Sequence, residues 1–145
     1  SGGCHSGGCL CGAVRYTAQG PLRDVVYCHC SQCRRQTGLY YAATAVAKSA
    51  FTLTRDDGLR WFAASDFALR GFCGTCGSNL WYRFLPTGGR SFLAGLFDLP
   101  AGFGIEQQIF VDEKPDWYDI AQESPMLTGP EVIAEAMAQG LDSGA

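Results

Sequence analysis

Three cysteines, Cys28, Cys30 and Cys33, lie within six residues in the segment YCHCSQC. A closed tetrahedral zinc site uses four protein ligands, whereas three ligands and one open position are typical of a catalytic zinc. Three thiolates more than neutralise one Zn²⁺, which makes the ion a poor activator of water but leaves it suited to another soft sulfur ligand. The segment therefore predicts a catalytic zinc site that favours thiol chemistry over hydrolysis.

Four further cysteines form two close pairs, Cys9 and Cys11 in GGCLCG and Cys73 and Cys76 in FCGTCGS. A CxxC pair in a glycine-rich turn is typical of a zinc knuckle, and the two pairs together would complete a four-thiolate site. Because such a site would connect distant segments, its predicted role is structural. Two alternatives stay open. The CxxC pair could be a redox motif, although the βαβ pattern that supports one is missing, or the CxC pair could instead join the YCHCSQC segment.

Two residues could supply a fourth ligand to the zinc site predicted at YCHCSQC. If His29 or Cys4 filled it, the second site would also be closed and structural. His29 lies between two ligands, so on a strand its side chain would point to the opposite face, which favours a core or supporting position. Cys4 and His5 belong to a polar, glycine-rich start of the chain, for which we expect a mobile tail.

Two arginines, Arg34 and Arg35, directly follow the last cysteine of YCHCSQC. Their guanidinium groups could offset the negative charge of the thiolates or bind substrate carboxylates in a bidentate manner. The alternative is that both are solvent-facing residues of a short helix. We take them as candidate substrate-binding residues.

Short runs of apolar and β-branched residues, separated by turn residues, predict a mainly β fold. The predicted strands lie in the segments AVRYTA (13–18), DVVYCHC, LYYAATAVA, AFTLTR, LRWFAA, FALRGFC, NLWYRFL, SFLAGLFDL and EQQIFV. The segment KPDWYDIAQESPM has no regular period and is expected to form an ordered loop.

Two helices are predicted. The first is short and lies in the segment SQCRRQTG, with Ser31 as its N-cap and Gly38 at its end. A second one covers 130–140, with Pro130 in its first turn and Gly140 at its end. Its apolar residues share one face, which consists of Val132, Ile133, Ala136 and Met137.

The composition limits the class of protein. The 145 residues suit one domain, predicted to span 1–145, and the formal charge of −3 argues against a nucleic-acid-binding role. No secretory signal or apolar run long enough for a membrane span is present, so we expect a cytoplasmic protein. Eight cysteines in such a chain indicate metal ligands rather than disulfides.

Three motifs in order, GGCLCGAVRY, CHCSQCRRQTG and FCGTCGSNL, closely resemble the glutathione-dependent formaldehyde-activating enzyme family. The resemblance covers roughly residues 7 to 120, including IFVDEKPDWYDI. It implies an Mss4-like fold of coiled antiparallel sheets built around a structural zinc, with a short helix after the CxCxxC motif. It also implies two zinc ions per chain, a structural one at Cys9, Cys11, Cys73 and Cys76 and a second one at Cys28, Cys30 and Cys33.

The resemblance implies an activity as well: a carbon–sulfur lyase that forms or cleaves S-(hydroxymethyl)glutathione from glutathione and formaldehyde. The motifs indicate which residues bind metal ions but do not identify the substrates. The expected partners are therefore given as classes, a small thiol such as glutathione and an aldehyde. The alternative is a non-enzymatic zinc module that carries a thiol or docks a protein partner.

Overall fold

The computed structural model describes residues 3–139, which form two β-sheets joined by loops and short helices. A three-stranded sheet has the order β1-β2-β5, and an eight-stranded sheet has the order β11-β10-β3-β4-β9-β8-β7-β6. The strands are β1 Cys4–Gly8, β2 Arg15–Gln19, β3 Val25–Cys28, β4 Tyr41–Thr44, β5 Phe51–Arg55, β6 Leu59–Ser65, β7 Ala68–Cys73, β8 Asn79–Phe84, β9 Gly89–Leu93, β10 Ile105–Ile109 and β11 Met126–Leu127. The predicted mainly β fold is confirmed.

The start of the chain is a strand and not the expected mobile tail. β1 pairs antiparallel with β2 over its whole length, from Cys4 opposite Gln19 to Gly8 opposite Arg15. The glycines permit a close approach, since a Cβ on Gly7 would lie 2.6 Å from the carbonyl oxygen of Leu96. The glycine-rich composition therefore reflects tight packing of a strand rather than a flexible end.

The large sheet is antiparallel except at β10. This strand pairs in parallel with β3 and with β11, and Ile109 lies opposite Cys28. Parallel strands end at the same edge of a sheet, so the residues after β3 and after β10 lie beside each other. This arrangement brings the YCHCSQC segment next to residues 110–118.

The core lies between the two sheets. Val14 and Tyr16 from β2 and its preceding loop pack against Trp81 of β8 and Phe92 of β9, and all four are almost fully buried. The ring of Tyr16 makes edge-to-face contacts with both Trp81 and Phe92, with centroid distances of 5.9 and 5.4 Å. Such aromatic pairs add to the free energy gained by burial and hold the two sheets in register.

Helix α1 spans Ser31–Thr37, and its N-cap is Cys30 rather than the predicted Ser31. The sulfur of Cys30 accepts a hydrogen bond from the backbone N–H of Cys33 at 3.4 Å, so a cysteine takes the role usually played by a hydroxyl. The helix ends at Gly38, as predicted, in the left-handed conformation with φ 82°.

Helix α2 spans Gly129–Ala138 and begins with a capping box of Thr128 and Glu131. Pro130 lies in the first turn, as predicted, while the predicted end at Gly140 lies outside the described residues. The predicted apolar face is only partly covered, because Ile133 and Met137 are 58% and 65% exposed.

The segment from Lys114 to Pro125 is irregular, and β11 follows it directly. None of the helices among residues 3–139 is long and apolar enough to span a membrane.

Candidate metal centres

Cys9, Cys11, Cys73 and Cys76 form a four-cysteine cluster in which all sulfur atoms lie within 4.8 Å of one another. The Sγ atoms of Cys9 and Cys11 are 3.7 Å apart, and those of Cys11 and Cys73 are 3.8 Å apart. A tetrahedral zinc site with bonds of about 2.3 Å places neighbouring sulfurs roughly 3.8 Å apart. The geometry and the chemistry of these donors therefore fit a zinc ion.

The four-cysteine cluster joins the two sheets. Cys9 and Cys11 follow β1 of the small sheet, whereas Cys73 ends β7 of the large sheet and Cys76 lies in the turn to β8. Gly58, in the turn before β6, packs against the cluster: its N–H donates to the carbonyl of Ala13, and its own carbonyl accepts from the N–H of Gly74. A metal ion held here would link segments far apart in sequence.

Hydrogen-bond donors lie beside two of these sulfurs. The backbone N–H of Val14 donates to the sulfur of Cys9 at 3.3 Å. The hydroxyl of Ser78 lies 3.2 Å from the sulfur of Cys76, and this contact chiefly lowers the pKa of Cys76 to about 5. Because metals bind the thiolate form, donors at the sulfurs favour metal binding.

Cys28, Cys30 and Cys33 form a separate three-cysteine cluster, also with sulfurs within 4.8 Å of one another. The end of β3 supplies Cys28, the N-cap of α1 supplies Cys30, and the first turn of α1 supplies Cys33. Across residues 3–139, no fourth cysteine, histidine or carboxylate joins this cluster. A metal ion bound here would keep one coordination position for a ligand from outside the chain.

The three thiols of this cluster differ in acidity. Hydrogen bonds from Cys28 and Cys33 lower the pKa of Cys30 to about 2, whereas hydrogen bonds with Cys30 and Cys33, together with burial, raise the pKa of Cys28. Cys30 is therefore the thiol of this cluster that loses its proton most readily. Binding of a divalent ion would displace the remaining protons.

Arg70 supplies the positive charge beside this cluster. Its Nη2 lies 3.5 Å from the sulfur of Cys33, and its Nη1 donates to Oε1 of Gln36 at 2.7 Å. Only 6% of Arg70 is exposed, and its guanidinium lies near the rings of Tyr41 and Tyr82. Burial alone would lower the pKa of Arg70, but the attraction of Cys33 raises it above its ordinary value.

Arg70 is not among the residues predicted from the sequence, which offers Arg34 and Arg35 as the compensating charge. Neither of these two arginines donates to a cluster sulfur in the described structure. Arg35 is exposed, while Arg34 is half-buried and close enough to Tyr118 to act on its hydroxyl. Arg70 could have been found as the single arginine inside the strand-like run FALRGFC. An arginine that is buried in a strand needs a negative or polar partner.

His29 does not act as a fourth ligand of the three-cysteine cluster. It is fully buried, its Nδ1 lies 2.6 Å from the hydroxyl of Tyr118, and its Nε2 lies 2.9 Å from Oε1 of Gln108. Since Oε1 only accepts, Nε2–H is the donor and Nδ1 accepts from Tyr118. His29 therefore holds the backbone between Cys28 and Cys30 against β10 and the loop after it.

Cys4 lies in β1 of the small sheet, exposed and apart from both clusters. The closed second site that Cys4 or His29 would complete is therefore not found in the described structure. The alternative in which Cys9 and Cys11 join the YCHCSQC segment is not found either, because these two sulfurs group with Cys73 and Cys76.

An aromatic surface borders the three-cysteine cluster. The rings of Tyr40 and Tyr118 lie 5.7 Å apart, and burial, with smaller contributions from Tyr40 and Cys28, raises the pKa of the Tyr118 hydroxyl. The ammonium group of Lys114 lies 4.8 Å from the centre of the Tyr118 ring and pairs with Asp119. Together with Arg34, this places positive charge beside the rings, next to the cluster.

The family model described as glutathione-dependent formaldehyde-activating enzyme matches residues 4–113. The chain belongs to this family. The match includes β1 and ends before Lys114, so its limits differ slightly from the resemblance seen in the motifs.

Two relatives support the family assignment. A protein of Schizosaccharomyces pombe, named as an uncharacterized lyase, is 29% identical over 130 residues, which cover 89% of this chain and 94% of that protein. A crystal structure of a Rhodobacter sphaeroides protein from structural genomics superposes with a TM-score of 0.51 at 25% identity. That superposition covers 64% of this chain and 87% of the other.

Proposed function

We propose that this family member is a zinc-dependent carbon–sulfur lyase that forms or cleaves an adduct between a small thiol and an aldehyde. One observation carries the proposal: among the described residues, three cysteines converge without a fourth protein donor, beside a buried arginine. The family assignment and the lyase name of the yeast relative support an enzyme of this class.

Each chain would bind two zinc ions. The four-cysteine cluster would hold a structural ion, and the three-cysteine cluster would hold the reactive one. When bound there, zinc supplies a position at which a soft sulfur ligand is held as its thiolate. Metal analysis of the purified protein should find two zinc ions per chain, and a folded protein free of zinc would contradict this assignment.

The residues around the three-cysteine cluster would bind and orient the substrates. Arg70 offsets the excess negative charge of the thiolates and thereby keeps the site receptive to a further anionic sulfur. Arg34 and Lys114 border the same surface, where they suit the carboxylates of a substrate such as glutathione. Arg35 is more exposed and would contribute less to substrate binding.

The chemical step joins the thiol sulfur to the aldehyde carbon. The thiolate attacks the carbonyl carbon, a carbon–sulfur bond forms, and the carbonyl π electrons move to the oxygen, which takes up a proton from water. In the reverse direction, the hydroxyl of the adduct loses its proton and the carbon–sulfur bond breaks. Tyr40 and Tyr118 would limit the access of water on one side of this reaction.

The substrate thiol can be tested by replacing zinc with cobalt, because sulfur-to-cobalt charge-transfer absorption rises with each added thiolate. We expect glutathione to change this absorption saturably, and S-methylglutathione, which lacks an ionisable thiol, to leave it unchanged. Cys30→Ser should abolish the response. No change at millimolar concentrations of glutathione would exclude glutathione as the ligand.

The reaction can be tested by following the equilibration of glutathione with formaldehyde. We expect the zinc-loaded protein to accelerate it above the spontaneous rate, and Arg34→Ala to weaken glutathione binding more than it slows the step. Saturable binding without acceleration would identify a thiol carrier in place of a lyase.

A further inference from the structure

Three cations cluster on the side of the large sheet that faces away from the three-cysteine cluster. Arg83 of β8 lies directly opposite Arg90 of β9, and Lys48 begins the short 3₁₀ turn before β5. Neighbouring residues of a strand point to opposite faces of a sheet. Tyr82 contacts Arg70 of the thiolate site, whereas Trp81 and Arg83 point towards the small sheet.

These cations form no ion pair within residues 3–139. Burial lowers the pKa of Arg90, and the like charge of Arg83 lowers it further. The Nε atoms of both arginines are buried and have no hydrogen-bond partner in the described structure. Buried N–H groups that lack an acceptor are free to donate to an anion from outside the chain.

A pocket of about 150 Å³ opens beside this cluster. Its apolar wall supports the guanidinium of Arg90, which lies 4.5 Å from the ring centre of Phe51 and 5.0 Å from that of Trp81. Lys48 is exposed at the rim, where its ammonium group donates to the carbonyl of Thr87. The lining consists of Val46, Lys48, Phe51, Gly88, Arg90 and Phe92.

We propose that this pocket binds a small oxyanion, a phosphate or carboxylate group, that carries a short apolar body. Lys48 and Arg90 would bind the anion from two sides, and Arg83 would add to the positive potential. Val46 also lines a neighbouring groove of about 340 Å³ formed with Pro21, Leu22 and Ala47, which offers room for the apolar body. The site is separate from the thiolate site, so its ligand is not the substrate thiol.

The test uses the full, zinc-loaded, ¹⁵N-labelled chain titrated with phenyl phosphate, inorganic phosphate or benzoate at constant ionic strength set by chloride. We expect saturable shifts of the Gly88 and Arg90 amide signals, with phenyl phosphate binding more tightly than inorganic phosphate. Saturation by phenyl phosphate alone would assign a phosphate site, and saturation by benzoate alone a carboxylate site. Linear shifts with all three probes would overturn the proposal.

Matched variants decide whether the named cations carry the binding. A charge-assisted hydrogen bond is worth about 1.5–3 kcal/mol, so Lys48→Gln and Arg90→Gln should each weaken binding about tenfold or more. Arg60→Gln removes the same charge from an exposed position on β6 and should leave binding unchanged. Equal weakening by all three variants would show non-specific attraction and overturn the proposal. If Arg90→Gln lowers stability, Lys48→Gln alone decides, because its side chain is exposed.

Discussion

The guanidinium of Arg70 lies 3.5 Å from the sulfur of Cys33 and is held there by Gln36, which accepts from its other nitrogen. Arg70 comes from the middle of β7, whereas Cys33 and Gln36 belong to α1. This contact therefore joins a strand of the large sheet to the helix whose N-cap and first turn supply two of the three thiols. It gives a direct prediction about metal affinity at that cluster.

Arg70→Gln should weaken metal binding at the three-cysteine cluster about tenfold or more, because one charged hydrogen bond to a thiolate is lost. Competition with a chromophoric chelator, after the four-cysteine cluster has been filled, measures the change. Arg35→Gln is the control, since Arg35 is exposed and donates to none of these sulfurs in the described structure. Equal affinities of Arg70→Gln and the unmodified protein would show that Arg70 has only a packing role.

The two clusters should differ when a ligand is removed. Cys73→Ser should sharply lower the melting temperature, because metal binding at closed sites contributes on the order of 10–16 kcal/mol in small peptides. Cys30→Ser should leave a folded protein that has lost one metal ion. Thermal unfolding and metal analysis of both variants test this difference. Equal loss of stability would instead identify two structural sites.

Cys4→Ser should change neither the metal content nor the melting temperature. Cys4 is exposed on β1 and belongs to neither cluster, and serine preserves the backbone pairing with Gln19. Metal analysis and thermal unfolding are sufficient measurements. Loss of one metal ion from this variant would reveal Cys4 as a hidden ligand.

Gly58→Ala should destabilise the protein by about 1–3 kcal/mol through overpacking beside the four-cysteine cluster. The added Cβ would lie 2.7 Å from the sulfur of Cys73 and 2.9 Å from the Cβ of Ala13. Gly95→Ala is the matched control, since nothing lies within 4 Å of a Cβ there. Chemical denaturation of the metal-loaded variants compares the two, and similar stabilities would contradict the close packing of Gly58.

The local parts of this structure could be predicted from sequence because their signals lie within a few residues. Cysteine spacing, the glycine stop at Gly38 and Pro130 in the first turn of α2 each report a short-range geometric requirement. The choice of N-cap at α1 failed because Ser31 is a better hydrogen-bond acceptor than cysteine in general. Here Cys30 lies at the cap position, and the N–H of Ser31 instead donates to Glu113.

The missed features depend on contacts between distant segments. Arg70 could not be placed beside Cys33 without knowing that β7 passes next to α1. The parallel pairing of β10 with β3 gives no local signal, yet it brings Tyr118 and Gln108 to the side chain of His29. The N-terminal glycines by themselves predict flexibility, because their close approach to Leu96 depends on packing across about ninety residues of chain.

The different sequence spans of the two clusters set the order in which they can form during synthesis. The three-cysteine cluster is complete once Cys33 has left the ribosome, whereas Cys11 must wait for Cys73, which lies 62 residues later. Until then, Cys9 and Cys11 form a two-thiol half-site that is exposed to stray soft metals and to oxidants. If this cluster binds the proposed metal ion, the nascent chain passes through an interval in which reducing conditions and metal supply decide whether the four-cysteine cluster can close.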